Sequence, residues 1–240
     1  LIRQAVEIAK SADVVLLCMG LDELSEAEGM DRVNLDLPKA QTALLTALAR
    51  ANENIVLVLS GGAPFIMPPK NTYRAAIHGY LGGQAGAGAM ADALLGKINP
   101  SGKLAETWPE QLEDTPCHQY YPSTRPTAEY REGLFVGYRY YDTAGVAVRY
   151  PFGHGLSFTT FSMGGAAVSL EGSTVTVTAT VTNTGARPGK EVVQTYVSCP
   201  EGKLDKPYQD LTGFGKTALL APGESEEVQV RFDMKDLASY

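Results

Sequence analysis

Two different patterns of apolar and polar residues divide the chain. Up to about residue 110, continuous apolar runs predict β-strands, at 14–20, 55–59 and 75–81. Amphipathic stretches between them predict helices, at 2–10, from Asp36 and Pro38 through Leu48, and at 91–95. Continuous apolar strands that alternate with helices are typical of a mostly parallel sheet covered on both faces. Because three strands are few for such a sheet, we expect a partial α/β sandwich domain.

The last third of the chain alternates strictly instead. Residues 174–182 place valine and alanine on one face and threonine on the other, and the turn residues Asn183, Thr184 and Gly185 follow. Similar runs at 191–197 and 227–232 predict further strands. Short strands at this spacing indicate an antiparallel β-sandwich, but only four or five fit before Tyr240, where about seven are usual. We therefore expect this sandwich to be incomplete.

Between these regions the periodicity disappears, and proline, glycine and tyrosine accumulate. Because disordered segments are poor in aromatic residues, we predict an ordered connector. The predicted organisation is an α/β domain at 1–115, the connector at 116–162 and a β-sandwich at 163–240. We interpret the tyrosines as amphipathic padding between two domains rather than as platforms that stack against sugar rings.

Composition excludes several classes of partner. The formal net charge of −7 over 240 residues argues against binding to nucleic acid or to an anionic membrane surface. The longest apolar runs have the length of a strand, so nothing is predicted to span a membrane. Cys18, Cys117 and Cys199 lie far apart without metal-ligand spacing. We interpret them as free thiols in a reducing compartment, which predicts a cytoplasmic protein, although secretion stays open because the start of the natural chain is expected upstream of Leu1.

Three further sequence patterns give only weak evidence for a functional site. Residues 86–91 (Gly-Ala-Gly-Ala-Met-Ala), with Glu106 further on, fit a loose dinucleotide fingerprint, but we favour glycines that serve close packing, and hence no cofactor. The three histidines are not spaced as metal ligands, so no metal site is predicted. Cys117 next to His118 is a weak candidate for a thiol nucleophile, since adjacent residues of an extended chain point to opposite sides.

The richest candidate chemistry lies in the acidic stretch 22–36, directly after the first predicted strand. Open α/β sheets keep their functional groups in such loops, and a carboxylate there can act as a proton donor. The residues alone favour a solvated acidic loop. Arg32 would either order this loop by binding a carboxylate, which we favour, or pair with Asp31 or Asp36 at the surface.

Several segments together resemble the C-terminal part of family 3 glycoside hydrolases, the β-glucosidase and β-xylosidase group. The α/β segments that carry the resemblance are 28–32 (Glu-Gly-Met-Asp-Arg), 35–38 with Gln41, and 83–104. The most specific segments are in the connector, at 130–142 and 150–161. Segments 181–185, 189–194 and 211–214 are similar to the fibronectin type III-like domain of many members.

The resemblance implies a retaining glycosidase acting on terminal β-linked glucosides or small oligosaccharides. By position, Glu28 corresponds to the general acid/base, with Glu26 as the alternative, while Asp31 and Arg32 would order the loop. The nucleophile would be an aspartate on a (β/α)8 barrel domain that this chain lacks, so we expect the chain alone to be inactive. The resemblance specifies no cofactor, substrate-binding residue or oligomeric state, although an oligomer is possible. The alternative function is a non-catalytic carbohydrate-binding or scaffolding module.

Overall fold

The structure is a computed structural model that describes residues 1–123, 126–200 and 202–238. The chain forms two compact units. Unit 1 comprises Leu1–Leu95 and Trp108–Tyr130, and unit 2 comprises Gly96–Thr107 and Arg131–Tyr240. The domain boundaries after residues 115 and 162 stay predictions, and the last predicted position, Tyr240, lies outside the described residues.

The helices and strands follow one another in two groups. The α/β group contains α1 Ile2–Ala9, β1 Val15–Gly20, α2 Lys39–Ala49, β2 Ile55–Ser60, β3 Ala75–His78, α3 Gly86–Leu94 and β4 Trp108–Pro109. The second group contains α4 Tyr138–Ala144, β5 Val148–Tyr150, β6 Phe161–Glu171, β7 Thr174–Asn183, β8 Val192–Val197, β9 Asp210–Lys216 and β10 Ser225–Asp233. No helix of the described residues has both the length and the hydrophobicity required to cross a bilayer.

Unit 1 contains the predicted parallel sheet, in the order β1-β2-β3. Leu17 of β1 lies opposite Leu57 of β2, and both side chains are buried. Leu45 and Leu48 of α2 are buried as well, which explains the leucine spacing of the predicted helix. Trp108 is only 2% exposed, and its ring contacts Phe65 edge-on. The α/β fold class is therefore confirmed for this part of the chain.

Two predicted elements of unit 1 have different bounds. The strand predicted to reach residue 81 ends at His78, because Tyr80 adopts φ of +51°, which breaks the extended conformation. The helix predicted at 91–95 begins earlier, because α3 already starts at Gly86. Alanine and methionine favour helix strongly enough to include Gly86 and Gly88.

Unit 2 contains two antiparallel sheets, in the orders β10-β7-β6 and β8-β9. Val181, Val193, Leu220 and Val228 form a buried core, and Phe161 packs against it. Strands β9 and β10 lie so close together that a Cβ atom on Gly215 would be 2.5 Å from a methyl group of Val228. Glycine is therefore required at this position. The predicted all-β class of this region is confirmed.

Four elements of unit 2 are not apparent from periodicity, one of them the three-residue strand β5. Strand β6 has a register irregularity between Gly164 and Ala167, which interrupts any alternation. Strand β9 includes two glycines, residues of low strand propensity. Helix α4 has only seven residues and ends at Ala144, where the following Gly145 adopts a left-handed conformation. Short or interrupted elements give weak sequence signals, so the connector prediction omitted α4.

A partly buried ion pair joins the Gly96–Thr107 segment of unit 2 to the β-sandwich. The ammonium of Lys103 lies 2.7 Å from the carboxylate of Glu191 and also donates to the carbonyl of Gly155. The imidazole of His154 stacks on Tyr150 with a centroid separation of 5.0 Å. Burial, and secondarily the positive charge of Lys103, lower the pKa of His154 below 6.5.

This environment predicts a pH-dependent stability. Because the imidazole of His154 binds a proton less readily when folded than when unfolded, acidification favours unfolding. The free energy of unfolding should fall as the pH decreases from 6.5 through the lower folded-state pKa. Urea denaturation at a series of pH values measures this change, and the slope should be shallower in His154→Gln. A parent and variant with the same slope over this range would contradict the prediction.

Candidate active site

The loop that carries the candidate acid/base begins where β1 ends, at Gly20. The side-chain amide of Gln41, on α2, accepts from the Gly20 N–H at 2.9 Å and donates to the Gly20 carbonyl at 3.0 Å. Both backbone groups of Gly20 are thus held by one side chain. The N–H of Leu21 donates to the Ser60 carbonyl, which continues the alignment with β2. The position of the loop's first residues is therefore set by both α2 and β2.

Position 20 also requires glycine, because the backbone there lies very close to the neighbouring strand. A Cβ atom at this position would lie 1.9 Å from the carbonyl oxygen of Ser60, so Gly20→Ala should displace the end of β1. We expect a decrease of about 1–3 kcal/mol in the free energy of unfolding, measured by urea denaturation. The matched control is Gly88→Ala in α3, where a Cβ atom meets nothing within 4 Å and alanine should stabilise by about 0.5–1 kcal/mol. Equal effects at the two glycines would contradict this account.

Further along, the loop is tied to the segment after β2 by two side chains. The carboxylate of Glu26 accepts from the N–H of Gly62 at 2.7 Å, and Nη1 of Arg32 donates to the carbonyl of Pro64 at 2.9 Å. Burial lowers the pKa of Arg32, while the negative charge of Glu26 opposes this effect. Nη2 of Arg32 is buried without a hydrogen-bond partner among the described residues. Arg32 thus holds the loop through a backbone carbonyl, and no bidentate carboxylate pair forms within this part of the chain.

Asp31 is held by a residue from the predicted connector. The hydroxyl of Tyr121 donates to the carboxylate of Asp31 at 2.5 Å, and this hydrogen bond raises the pKa of Tyr121. Both residues belong to unit 1. Asp31 therefore accepts from a tyrosine, and the structure does not bring its carboxylate into an ion pair with Arg32 among the described side chains.

Glu28 differs from the other acidic residues of the loop that were singled out. It is exposed and lies in a turn with Gly29, whose φ of +78° favours glycine. Its carboxylate makes no hydrogen bond or ion pair with any residue that the structure describes. The loop thus combines fixed points at Gly20, Glu26, Asp31 and Arg32 with the carboxylate of Glu28, which is open to solvent, as are those of Glu23 and Asp36. Such a carboxylate is accessible to a ligand or to another domain.

The partners that hold the loop were not predicted as functional residues. Gln41 was part of the family resemblance, but no role was derived for it, and Gly62, Pro64 and Tyr121 were not singled out at all. The hydrogen bond between Tyr121 and Asp31 joins residues 90 positions apart. Contacts at such separations depend on the chain path, and a single sequence carries no local signal for them.

The remaining candidates form no second site. Among residues 1–123, 126–200 and 202–238, no three His, Cys, Asp or Glu side chains are grouped as metal ligands. Cys18, Cys117 and Cys199 are free thiols. Glu106 does not follow a strand of the parallel sheet, so it lacks the position of a ribose-binding carboxylate in a dinucleotide fold.

Comparison with known families identifies the class to which this α/β unit and loop belong. The sequence matches the Glycosyl hydrolase family 3 C-terminal domain over residues 1–158 and the Fibronectin type III-like domain over residues 191–240. The chain therefore belongs to glycoside hydrolase family 3.

Individual relatives support this assignment over almost the whole chain. The chain is 42% identical to thermostable beta-glucosidase B of Acetivibrio thermocellus, covering 100% of this chain and 32% of that protein. It is 46% identical to an exo-alpha-(1->6)-L-arabinopyranosidase of Bifidobacterium longum, covering 98% of this chain and 31% of that protein. It thus spans about a third of the length of these curated relatives.

Two solved structures are similar as well. The GH3 beta-glucosidase of Bifidobacterium adolescentis matches with a TM-score of 0.93 and 45% identity, over 98% of this chain and 35% of that one. Beta-glucosidase 3B of Thermotoga neapolitana, in complex with glucose, matches with a TM-score of 0.92 and 36% identity, over 100% of this chain and 35% of that one. These similarities confirm the fold class and the family.

Proposed function

We propose that this chain supplies the general acid/base of a retaining β-glycosidase, and that Glu28 carries the proton. The observation that supports this role is the contrast within the loop. Gln41, Glu26, Arg32 and Tyr121 hold its backbone or its side chains, whereas the carboxylate of Glu28 stays exposed. A proton donor needs both a fixed backbone position and an accessible carboxyl group.

The proposed reaction has two steps. The carboxyl group of Glu28 protonates the departing glycosidic oxygen, while an aspartate of a (β/α)8 barrel domain attacks the anomeric carbon and forms a glycosyl-enzyme. The Glu28 carboxylate then removes a proton from water, which attacks the anomeric carbon and displaces the aspartate. The proton that Glu28 gave is thereby restored. Retention requires the two carboxyl groups to lie roughly 5–5.5 Å apart during the reaction, so an exposed position for Glu28 is suited to meeting a group from another domain.

Glu26, the alternative acid/base, has a different environment. Its carboxylate accepts the Gly62 N–H and lies near the positive charge of Arg32. A carboxylate bound in this way holds the loop in place. To act as a proton donor, Glu26 would have to break its contact with the Gly62 N–H. We therefore assign to Glu26, with Asp31 and Arg32, the role of positioning the loop that carries Glu28.

The proposed substrates are terminal β-linked glucosides and small oligosaccharides, in keeping with the relatives described as beta-glucosidases. The relative described as an arabinopyranosidase is equally similar in identity, so this chain does not by itself select the sugar. Substrate choice depends on the residues that line the sugar pocket. The partner we propose is the barrel domain, and the chemistry uses only carboxyl groups.

A chimera tests the proposal. This chain would replace the matched region of the Bifidobacterium adolescentis enzyme, and the anomer first released from an aryl β-glucoside would be followed by NMR. We expect hydrolysis with β-glucose as the first product, and no hydrolysis by this chain alone. A folded chimera that is inactive, or one that releases the α-anomer first, would contradict the proposal.

The alternative function is a non-catalytic carbohydrate-binding or scaffolding module. It predicts that the chain binds glucose or cellobiose without the barrel domain and that the folded chimera hydrolyses nothing. The chimera assay separates the two functions, because binding alone does not provide a proton donor at the scissile bond.

A further inference from the structure

Unit 2 contains a pocket of about 250 Å³ that the proposed glycosidase chemistry does not use. All of its lining residues belong to unit 2. They come from helix α4, the segment after β5 and the strands β8 and β9 with their flanks. The lining consists of Tyr138, Asp142, Pro151, Phe152, Gln194, Tyr196 and Gln209. Rings and planar polar side chains therefore dominate the wall.

Three aromatic rings form one side of the pocket. Tyr138 and Phe152 stack with centroids 4.7 Å apart and an angle of 26° between their planes. Tyr196 meets Tyr138 edge-on at 5.9 Å. Tyr138 is buried, and its hydroxyl accepts from the N–H of Leu211 at 2.7 Å. The packing fixes these rings before any ligand binds, so little side-chain entropy would be lost on binding.

The polar groups of the pocket are held by one another. Nε2 of Gln209 donates to the carboxylate of Asp142 at 2.9 Å, and the hydroxyl of Tyr196 donates to Oε1 of Gln194 at 2.6 Å. Nε2 of Gln194 donates to the carbonyl of Gly153 at 3.1 Å. These hydrogen bonds leave further capacity for a ligand. One oxygen of the Asp142 carboxylate and the amide oxygens can still accept, and the second N–H of each glutamine amide can still donate.

We propose that this pocket binds one pyranose ring of a neutral saccharide. A sugar ring has apolar C–H faces that contact aromatic side chains and hydroxyl groups that both donate and accept hydrogen bonds, which matches this lining. The volume lies just below the ~300–1,000 Å³ of pockets for drug-sized ligands, so it suits a single ring. An organic cation fits less well, because the guanidinium of Arg139 already lies 5.0 Å from the centre of the Tyr138 ring.

This site gives a function to part of the tyrosine-rich connector, whose tyrosines were predicted to be padding between two domains. Tyr138 and Asp142 lie on α4, one turn apart on the same helix face. Gln194 and Tyr196 alternate along β8 and therefore point to the same side of the sheet. The pocket thus brings one face of a helix to one face of a strand, and its polar side chains come from these two elements and from Gln209, which precedes β9.

Titration of the ¹⁵N-labelled chain with D-glucose tests the proposal by NMR. We expect saturable shifts of the Leu211 amide, with a Kd in the millimolar range. Asp142→Asn should weaken binding by about tenfold or more, since it removes a charged hydrogen-bond acceptor. The matched control is Asp205→Asn, an exposed aspartate outside the pocket, which should bind as the parent does. Thermal unfolding of both variants verifies that they are folded.

Three results would overturn the proposal. The first is a Leu211 amide that does not shift at ~100 mM glucose, well above a millimolar Kd. The second is equal affinity of the Asp142→Asn and Asp205→Asn variants, and the third is a saturable shift with choline but not with glucose. If Asp142→Asn does not fold, Tyr196→Phe replaces it, with the same weakening expected. Shifts at the Gly62 amide, which contacts Glu26, report binding near the acid/base loop, so the two sites are read separately.

Discussion

In the chimera with the Bifidobacterium adolescentis enzyme, Glu28→Gln should lower kcat/KM for an unactivated β-glucoside by about 10²–10⁴-fold, the usual contribution of general acid/base catalysis. Glutamine keeps the shape of the side chain but cannot give up a proton. Azide should restore much of the rate with an aryl glucoside, because this small anion attacks the glycosyl-enzyme without needing a base. The product would then be β-glucosyl azide, measured by NMR.

Two variants on the same loop serve as controls for Glu28→Gln. Glu23→Gln removes an exposed carboxylate of the same loop, and we expect a rate close to that of the parent. Glu26→Gln keeps an oxygen that can accept from the Gly62 N–H but removes the charge beside Arg32. It should reduce the rate moderately, without rescue by azide. Azide rescue of Glu26→Gln, together with an active Glu28→Gln, would exchange the roles of the two residues.

The second large effect is expected at Asn183, at the end of β7. Its side chain is fully buried and makes four hydrogen bonds. Nδ2 donates to the carbonyls of Arg187 and Leu220 at 2.8 and 2.9 Å. Oδ1 accepts from the hydroxyl of Thr159 at 2.8 Å and from the N–H of Gly185 at 3.1 Å. Both ends of the amide are therefore satisfied, and neither water nor another side chain needs to enter.

Asn183→Asp should lower the free energy of unfolding by about 3–5 kcal/mol near neutral pH. The substitution preserves the shape but places a carboxylate oxygen against two carbonyl oxygens, so a buried charge faces like partial charges. Urea denaturation measures the loss. It should become smaller on acidification, because a protonated aspartic acid can donate to one of the two carbonyls.

The matched control is Asn71→Asp, at an exposed asparagine in unit 1, where the effect should stay within about 0.5 kcal/mol. A loss of stability at Asn183 no larger than that at Asn71 would show that the four hydrogen bonds contribute little. Such a result would also mean that the buried amide is not what joins β7 to the turn at residues 185–187.

Both predictions concern residues whose position in the chain was predicted from the sequence but whose contacts were not. The alternation over 174–182 predicted a strand followed by a turn at Asn183, and β7 ends at Asn183, one residue beyond the predicted strand. That the asparagine side chain is buried, and that it bonds to Leu220, depends on a partner 37 residues away. Likewise, the acidic loop was predicted from its place after β1, but its contacts with Gly62, Pro64 and Tyr121 were not.

The elements that were predicted well share strong local periodicity. Strands β1, β2, β7 and β10 have continuous or strictly alternating apolar residues, and α2 has leucines at helical spacing. The elements that were missed lack it. Helix α4 is short, β6 contains an irregular pair of glycines, and β9 includes Gly213 and Gly215, which the packing against Val230 and Val228 requires. Their conformations depend on neighbours rather than on their own pattern.

The amino-acid sequence alone was thus sufficient to predict the fold class, the family and the loop that carries Glu28. Periodicity, turn residues and contiguous motifs are properties of neighbouring residues, so they can be recognised without the structure. Folding in three dimensions decided which carboxylates of that loop are held, and that the carboxylate of Glu28 stays exposed. It also decided that rings and amides from α4, the segment after β5, β8 and the residue before β9 line a pocket. These outcomes depend on contacts between residues tens of positions apart, which form only when the packing of the core brings the segments together.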